Sequence, residues 1–251
     1  MNKLTLLALA TMLVAFCGCL QAQTWDETTD GGGDAGDLAG TAQSVTGSGA
    51  LNEITGDVPT NADRDAYMIL INSPSTFSAT TGTNPGTNTD TQLYLFDTSG
   101  MGIAHNDDAV AGGLLSTFPA GNGLYSSLSA GYYILVVASW NNAPQSAGGA
   151  IFPTAYGTIE GPTGSGGASP LTSWTNTQTA SGTYRVTLTG CSYVSSSADD
   201  VGVIAVTSPT SSVGLTATET GTVQIFNYGT TTQNGKAARK EKEKIPVVAV
   251  T

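Results

Sequence analysis

The sequence predicts an all-β protein: an antiparallel jelly-roll β-sandwich followed by a short, incomplete immunoglobulin-like C-terminal segment. Three observations predict it. Alternation of apolar and polar residues with a period of two, rich in aromatic and β-branched side chains, recurs along the chain. The stretches between these runs, "NPGTNTD", "DTSG" and "NNAPQSAGG", are turn chemistry, since Gly and Asn tolerate positive φ and Pro fixes it. After an apolar leader, the 3.6-residue spacing of an amphipathic helix is hard to find. Many short strands with such punctuation make a sandwich or jelly roll. About 160 residues, 34–193, suffice to bury one core.

Residues 1–22 read as a signal peptide. Lys3 is the only charge before the apolar run "LTLLALATMLVAF", and small residues follow it. Cleavage is expected after Ala22. Lipidation at Cys19 would need an aliphatic residue where Phe16 stands, so it is the weaker reading. No second run of about 18 apolar residues occurs, so no membrane span is expected after signal removal. The mature protein is therefore expected to be secreted, extracellular or held at the cell surface. Cys17 and Cys19 leave with the signal, and Cys191 remains alone. One thiol forms no internal disulfide, so burial must hold the fold.

Residues 23–35, "QTWDETTDGGGDA", read as a flexible mature N-terminus. Residues 36–193 carry the sandwich. "DAYMILI" puts Tyr67, Ile69 and Ile71 on one face. "TQLYLFD" alternates Leu93 and Leu95 with Tyr94 and Phe96, "GYYILVVAS" aligns Tyr133, Leu135 and Val137, and "GTYRVTLTG" aligns Tyr184, Val186 and Leu188. Residues 141–179 form a long Gly- and Ser-rich loop containing Ile151, Phe152, Tyr156 and Trp174. These side chains are expected to pin the loop to the sandwich; a ligand platform is the other reading of so long a loop. Residues 194–199 read as a polar linker. Residues 200–251 hold three further strand patterns, "DVGVIAVTSPTSS", "ETGTVQIFNYGTT" and "IPVVAVT", in about 50 residues, short of a complete immunoglobulin-like sandwich. A truncated second domain is the expectation.

Charge excludes one class of partner. Residues 23–235 hold two bases, Arg64 and Arg185, against seventeen acids, a net of −15. Phosphate backbones would be repelled, so no nucleic-acid partner is expected. An acidic surface suits a protein that meets divalent cations. The remaining mature bases lie in "KAARKEKEK", residues 236–244, a solvated mixed-charge run.

Four motifs in order carry a family resemblance: Gly36-Asp37-Leu38-Ala39 with Thr41-Ala42-Gln43, then "ADRDAYMI", then "DTQLYLFDTSGMGIAHNDD", then "LSAGYYILVV". Together they resemble the bacterial pre-peptidase C-terminal (PPC) module, a jelly-roll sandwich appended to secreted proteins and related in form to clostridial collagen-binding domains. "NNAPQSAGGAIF" and "SGTYRVTLTG" are similar to the end of a variant of that module, so the resemblance covers residues 36–190. The tail "DVGVIAVTSPTSS…VQIFNYGTT" resembles the start of a cell-adhesion-related (CARDB) immunoglobulin-like domain, with "NGKAARKEKEK" interrupting where such domains run on. The resemblance implies a non-catalytic binding, adhesion or accessory module whose partner is an extracellular glycan or protein.

The residues give little support to catalysis. His105 is the only histidine, no G-x-S-x-G elbow occurs, and the mature lysines are confined to residues 236–244. A nucleophile needs a base in reach and that base an orienting partner. A small secreted hydrolase using His105 is therefore the weakest of three readings. An accessory-domain fragment of a longer secreted hydrolase or adhesin is the second. "GGGDAG" matches G-x-G-x-x-G by letters but lacks the flanking strand and helix.

Calcium is the one cofactor the residues suggest. It takes six to eight hard oxygen ligands. Asp97, Asn106, Asp107 and Asp108 flank one hairpin and are the expected set; Asp90, Asp63 and Asp65, at strand starts, are expected near the same rim. The competing expectation is that Asp and Asn cap turns. Asp30, Asp34 and Asp37 form a weaker cluster in the N-terminal segment.

Overall fold

The nine-residue strand Gly131–Ser139 is the axis of the fold. The computed structural model describes residues 23–60, 62–83, 86–109, 113–153, 157–176, 180–195, 201–208 and 222–227. The signal peptide with Cys19, Tyr156, residues 196–200, the basic run and the strand pattern "IPVVAVT" lie outside the described residues.

In chain order the strands are β1 (Thr24–Asp26), β2 (Gln43–Ser44), β3 (Thr46–Gly47), β4 (Glu53–Val58), β5 (Arg64–Ile71), β6 (Ser78–Thr80), β7 (Thr91–Asp97), β8 (Gly102–Asn106), β9 (Thr117–Phe118), β10 (Gly131–Ser139), β11 (Asn142–Ser146), β12 (Gly149–Ala150), β13 (Ile159–Glu160), β14 (Ser173–Asn176), β15 (Gly182–Thr189), β16 (Cys191–Ser192), β17 (Val194–Ser195), β18 (Val201–Ser208) and β19 (Thr222–Asn227). The protein is all-β. Among the described residues the only helical element is one 3₁₀ turn, Pro74–Thr76, and no helix is long and apolar enough to cross a membrane.

Two sheets face each other. One runs β1-β4-β15-β6-β9 and the other β13-β8-β7-β10-β5-β16. Their long ladders are antiparallel, with Leu135 of β10 opposite Tyr67 of β5 and Leu95 of β7. Three short pairings, β1–β4, β2–β5 and β17–β3, are parallel. The four alternating runs named above supply the facing surfaces: Tyr67, Ile69, Leu93, Leu95, Tyr133, Leu135, Val137, Tyr184, Val186 and Leu188 share one buried cluster. Each fully buried aliphatic side chain there contributes roughly 1.5–3 kcal/mol of apolar transfer.

The second sheet is also covered on its outer face. Met68, Tyr94, Phe96, Ile134 and Val136 point away from the first core into a second one closed by Ile151, Phe152 and Leu171, with Trp174 packed against it. This explains the unbroken apolar run "YYILVV": a strand buried on both faces has no solvent side to keep polar. Strands β11, β12 and β14 make the small sheet that holds this cover. The Trp174 indole N–H donates to the Asp37 carbonyl at 2.8 Å.

The structure corrects the sequence at both ends of the module. Residues 23–35 are not a free N-terminus. Trp25 is buried and β1 pairs in parallel with β4, while Ala35 is fully enclosed. Val194 and Ser195, expected in the linker, instead form β17, which pairs with β3, and Val194 is buried. The Tyr193 hydroxyl donates to the Thr24 carbonyl at 3.0 Å, and the Asn52 N–H donates to the Gln23 carbonyl at 3.0 Å, so the chain comes into the module and leaves it at one pole. Of the three expected C-terminal strands, β18 and β19 pair antiparallel with register shifts.

Candidate functional site

The β7–β8 hairpin has two ends, and the acidic residues divide between them. Leu93 pairs with Asn106 at the open end and Phe96 with Gly102 near the turn. Asp97 is at the turn. Its Oδ1 accepts the N–H groups of Ser99 and Met101, both at 2.9 Å, and the Ser99 hydroxyl at 2.6 Å. Gly100 completes that turn with φ +88°, where an L side chain would be strained. Four residues of strand separate the two ends by roughly 13 Å. Asp97 is therefore not part of the set with Asn106, Asp107 and Asp108. The hairpin brings together strand-start and strand-end residues, and its turn stays apart from both.

At the open end Asp90, Asp107 and Asp108 each offer a carboxylate oxygen, all within 4.8 Å of one another. Asp107 is 2% exposed. Its Oδ1 and the Asp90 Oδ1 are buried without a hydrogen-bond partner. The backbone around them is fixed. The Asn106 amide donates to the Asp108 and Thr158 carbonyls at 2.9 Å each, and its oxygen accepts the Thr117 N–H at 2.7 Å. Asn106 thus spends its side chain on the frame and is not a free ligand. The Ser116 hydroxyl donates to the Asp107 carbonyl at 2.6 Å, and the Trp140 N–H to the Asp90 carbonyl at 3.0 Å. Burial, then Asp108 and Asp90, push the Asp107 carboxyl up to about 7. Burial and Asp108 raise Asp90, and burial raises Asp108.

A second group lies where β1 leads into the N-terminal segment. Glu27, Asp34 and Asp65 also present oxygens within 4.8 Å of one another. Glu27 accepts the Ala35 N–H at 2.9 Å through Oε1 and the Asp57 N–H at 3.0 Å through Oε2. Asp65 accepts the Tyr184 hydroxyl at 2.6 Å, and Tyr184 meets the Tyr67 hydroxyl at 2.5 Å. Burial, then the charge of Glu27, push the Asp65 carboxyl up to about 10, and its Oδ1 is buried without a hydrogen-bond partner. Burial, then Asp34, raise Asp63 to about 7. Asp63 and Asp65 gather at this second group, away from the hairpin rim. Asp37 faces Arg64 at 3.7 Å, and Asp30 accepts the Asp26 N–H at 2.8 Å, a turn contact. All donors in both groups are oxygens, the chemistry of a hard cation such as calcium.

His105 belongs to the outer core. Its ring stacks on Tyr94 with centroids 4.4 Å apart and lies 5.7 Å from Phe152. Neither ring nitrogen has a hydrogen-bond partner, and burial lowers its pKa to about 4. Glu160 Oε2 is 3.6 Å from Nδ1. That is too long for a hydrogen bond, and the ring is neutral, so the contact is not an ion pair. Cys191 is buried and its thiol pKa is raised by burial, the environment of an inert thiol.

The outward face of β4 and β15 is of a different kind. Ile54, Val58, Tyr184 and Val186 point inward, while Thr55, Asp57, Thr183 and Arg185 point out. With Asp26 and Thr28 these outward residues line an open groove of about 330 Å³. Arg185 is held by Glu53 at 2.7 Å. Sequence alternation marks this face as polar, but only the parallel docking of β1 beside β4 gives the groove its wall. Compared with family models, curated proteins and solved structures, the chain matches none.

Proposed function

We propose that this chain is an exported, non-catalytic binding or adhesion module that acts at the cell surface or in the extracellular matrix. Its ligand is an extracellular glycan or protein chain laid across the outward face of β4 and β15. The observation that carries this reading is the groove itself, where Asp26, Thr28, Thr55, Asp57, Thr183 and Arg185 offer hydroxyls and charges of both signs on a rigid sheet. Rigid, pre-placed polar groups reduce the ordering cost of binding a polar polymer. The resemblance of residues 36–190 to the PPC module favours the same role. The chemistry of His105 supports it from the other side, since a stacked, neutral imidazole with no hydrogen-bonded hydroxyl or thiol is poorly placed to be a general base.

The test is glycan- and protein-array binding by the mature chain beside the variants Asp57→Asn, Thr183→Ala and His105→Leu. The reading expects binding that Asp57→Asn and Thr183→Ala weaken at least tenfold and His105→Leu leaves intact. Binding indifferent to both face variants, or hydrolysis of an arrayed ligand lost in His105→Leu, overturns it.

A further inference from the structure

We propose that Asp90, Asp107 and Asp108 form a calcium site at the open end of the β7–β8 hairpin. Three carboxylates gathered by the fold could simply repel one another at a wet surface. Two observations make this group different. Asp107 is 2% exposed, so water does not screen it, and its Oδ1 has no donor although it is buried. The Asp90 Oδ1 is orphaned in the same way. A buried carboxylate oxygen without a donor costs the desolvation of a charged group. Two such atoms beside a third carboxylate describe a place built for a cation.

The all-oxygen donor set points to a hard cation, and calcium is the one whose flexible coordination suits it. Two oxygens each about 2.4 Å from one ion are at most about 4.8 Å apart, so donors within 4.8 Å of one another meet the first requirement for sharing a calcium ion. Magnesium, at about 2.0–2.1 Å with a strict octahedron, needs a tighter set. Zinc prefers nitrogen and sulfur, and the nearest histidine, His105, is sealed into the aromatic stack. Waters and backbone carbonyls complete the six to eight positions. The ion would bind the segment before β7 to the segment after β8. Through Ser116, whose hydroxyl donates to the Asp107 and Thr91 carbonyls, it would also fix the approach to β9. The site lies on the second sheet, on different strands from the proposed ligand groove, and stands or fails without it.

The experiment measures the melting temperature and calorimetric calcium binding of the mature chain in chelator, in millimolar calcium chloride, in magnesium chloride, and in sodium chloride at equal ionic strength. Variants are Asp107→Asn, Asp108→Asn and, as a control at the other acidic group, Asp34→Asn. Asp108→Asn is the fallback if Asp107→Asn fails to fold. Calcium is expected to raise the wild-type melting temperature by several degrees, since a ligand that binds only the folded state stabilises it. Magnesium should do less, and sodium nothing beyond its ionic strength. Asp107→Asn or Asp108→Asn should lower calcium affinity at least tenfold while Asp34→Asn retains it. An equal rise with sodium, an equal rise with magnesium, or a calcium effect that survives Asp107→Asn and Asp108→Asn but disappears in Asp34→Asn overturns the proposal.

Discussion

Tyr184 crosses the interior of the sandwich to donate its hydroxyl to Asp65, from the five-stranded sheet to the other, at 2.6 Å. The contact is enclosed. Asp65 is fully buried, and Gly56 opposite has no Cβ to intrude on the Tyr184 hydroxyl or on Glu27. Removing the donor leaves a buried acceptor with less compensation. Tyr184→Phe should cost about 1–3 kcal/mol in urea unfolding at pH 7. Gly56→Ala should also destabilise, because the added methyl collides with that hydroxyl. An unchanged midpoint in both variants would remove the contact from the account of stability.

Asp107 gives a pH signature in chelator. Its folded pKa, about 7, lies above the unfolded value of 3.8. The group therefore contributes stability that is fully present below about pH 4 and is lost as pH rises through 7. Asp107→Asn has no such term. The variant should be the more stable protein at pH 8, and its advantage should shrink on acidification toward pH 5. Parallel stability curves across that window would contradict the assignment.

His105 acts with the opposite sign. Its folded pKa of about 4 lies below the ordinary histidine value of 6.5, so stability present above 6.5 is lost as pH falls toward 4. His105→Leu, which keeps the ring site apolar, should flatten that slope between pH 6.5 and 4. Proton uptake on unfolding, measured by calorimetry in two buffers at pH 5, should fall in the variant.

The two cores make separable demands. Leu135 is fully buried between the sheets, and Leu135→Ala should cost about 2–5 kcal/mol. Phe152 closes the outer core with Tyr94, Phe96 and His105 around it. Phe152→Ala should cost about 3–5 kcal/mol. It should also expose residues 147–172 to protease before the rest of the module unfolds. Loss of both regions in one step would show that the cover and the sandwich are a single cooperative unit.

Where sequence reasoning worked, the signal was local. Tyr67, Ile69 and Ile71 alternate because one face of a strand meets the core, and Leu93 and Leu95 separate from Tyr94 and Phe96 for the same reason. Where it stopped, the cause was a pairing between distant residues. "TWDE" carries no alternation long enough to announce a strand; Thr24 opposite Glu53 makes it one. Asp97 and Asp90 look equivalent as letters flanking "TQLYLF". The turn "DTSG" binds the first at one end of the hairpin, and the register leaves the second beside Asp107. The orphaned oxygens had no sequence signal, since a missing donor is a property of packing.

The contact between Tyr193 and Thr24 has a mechanical meaning. A load carried along the chain would be applied at residues 23 and 195, on the same pole of the module. It would act first on the parallel β1–β4 and β17–β3 pairings, three and two residues long. The β5–β10 ladder, with eight paired positions, would lie outside the line of force. Stretching would peel the short fastenings at the pole first, drawing Trp25 from the inner core and Val194 from the outer one while the long central ladders still held.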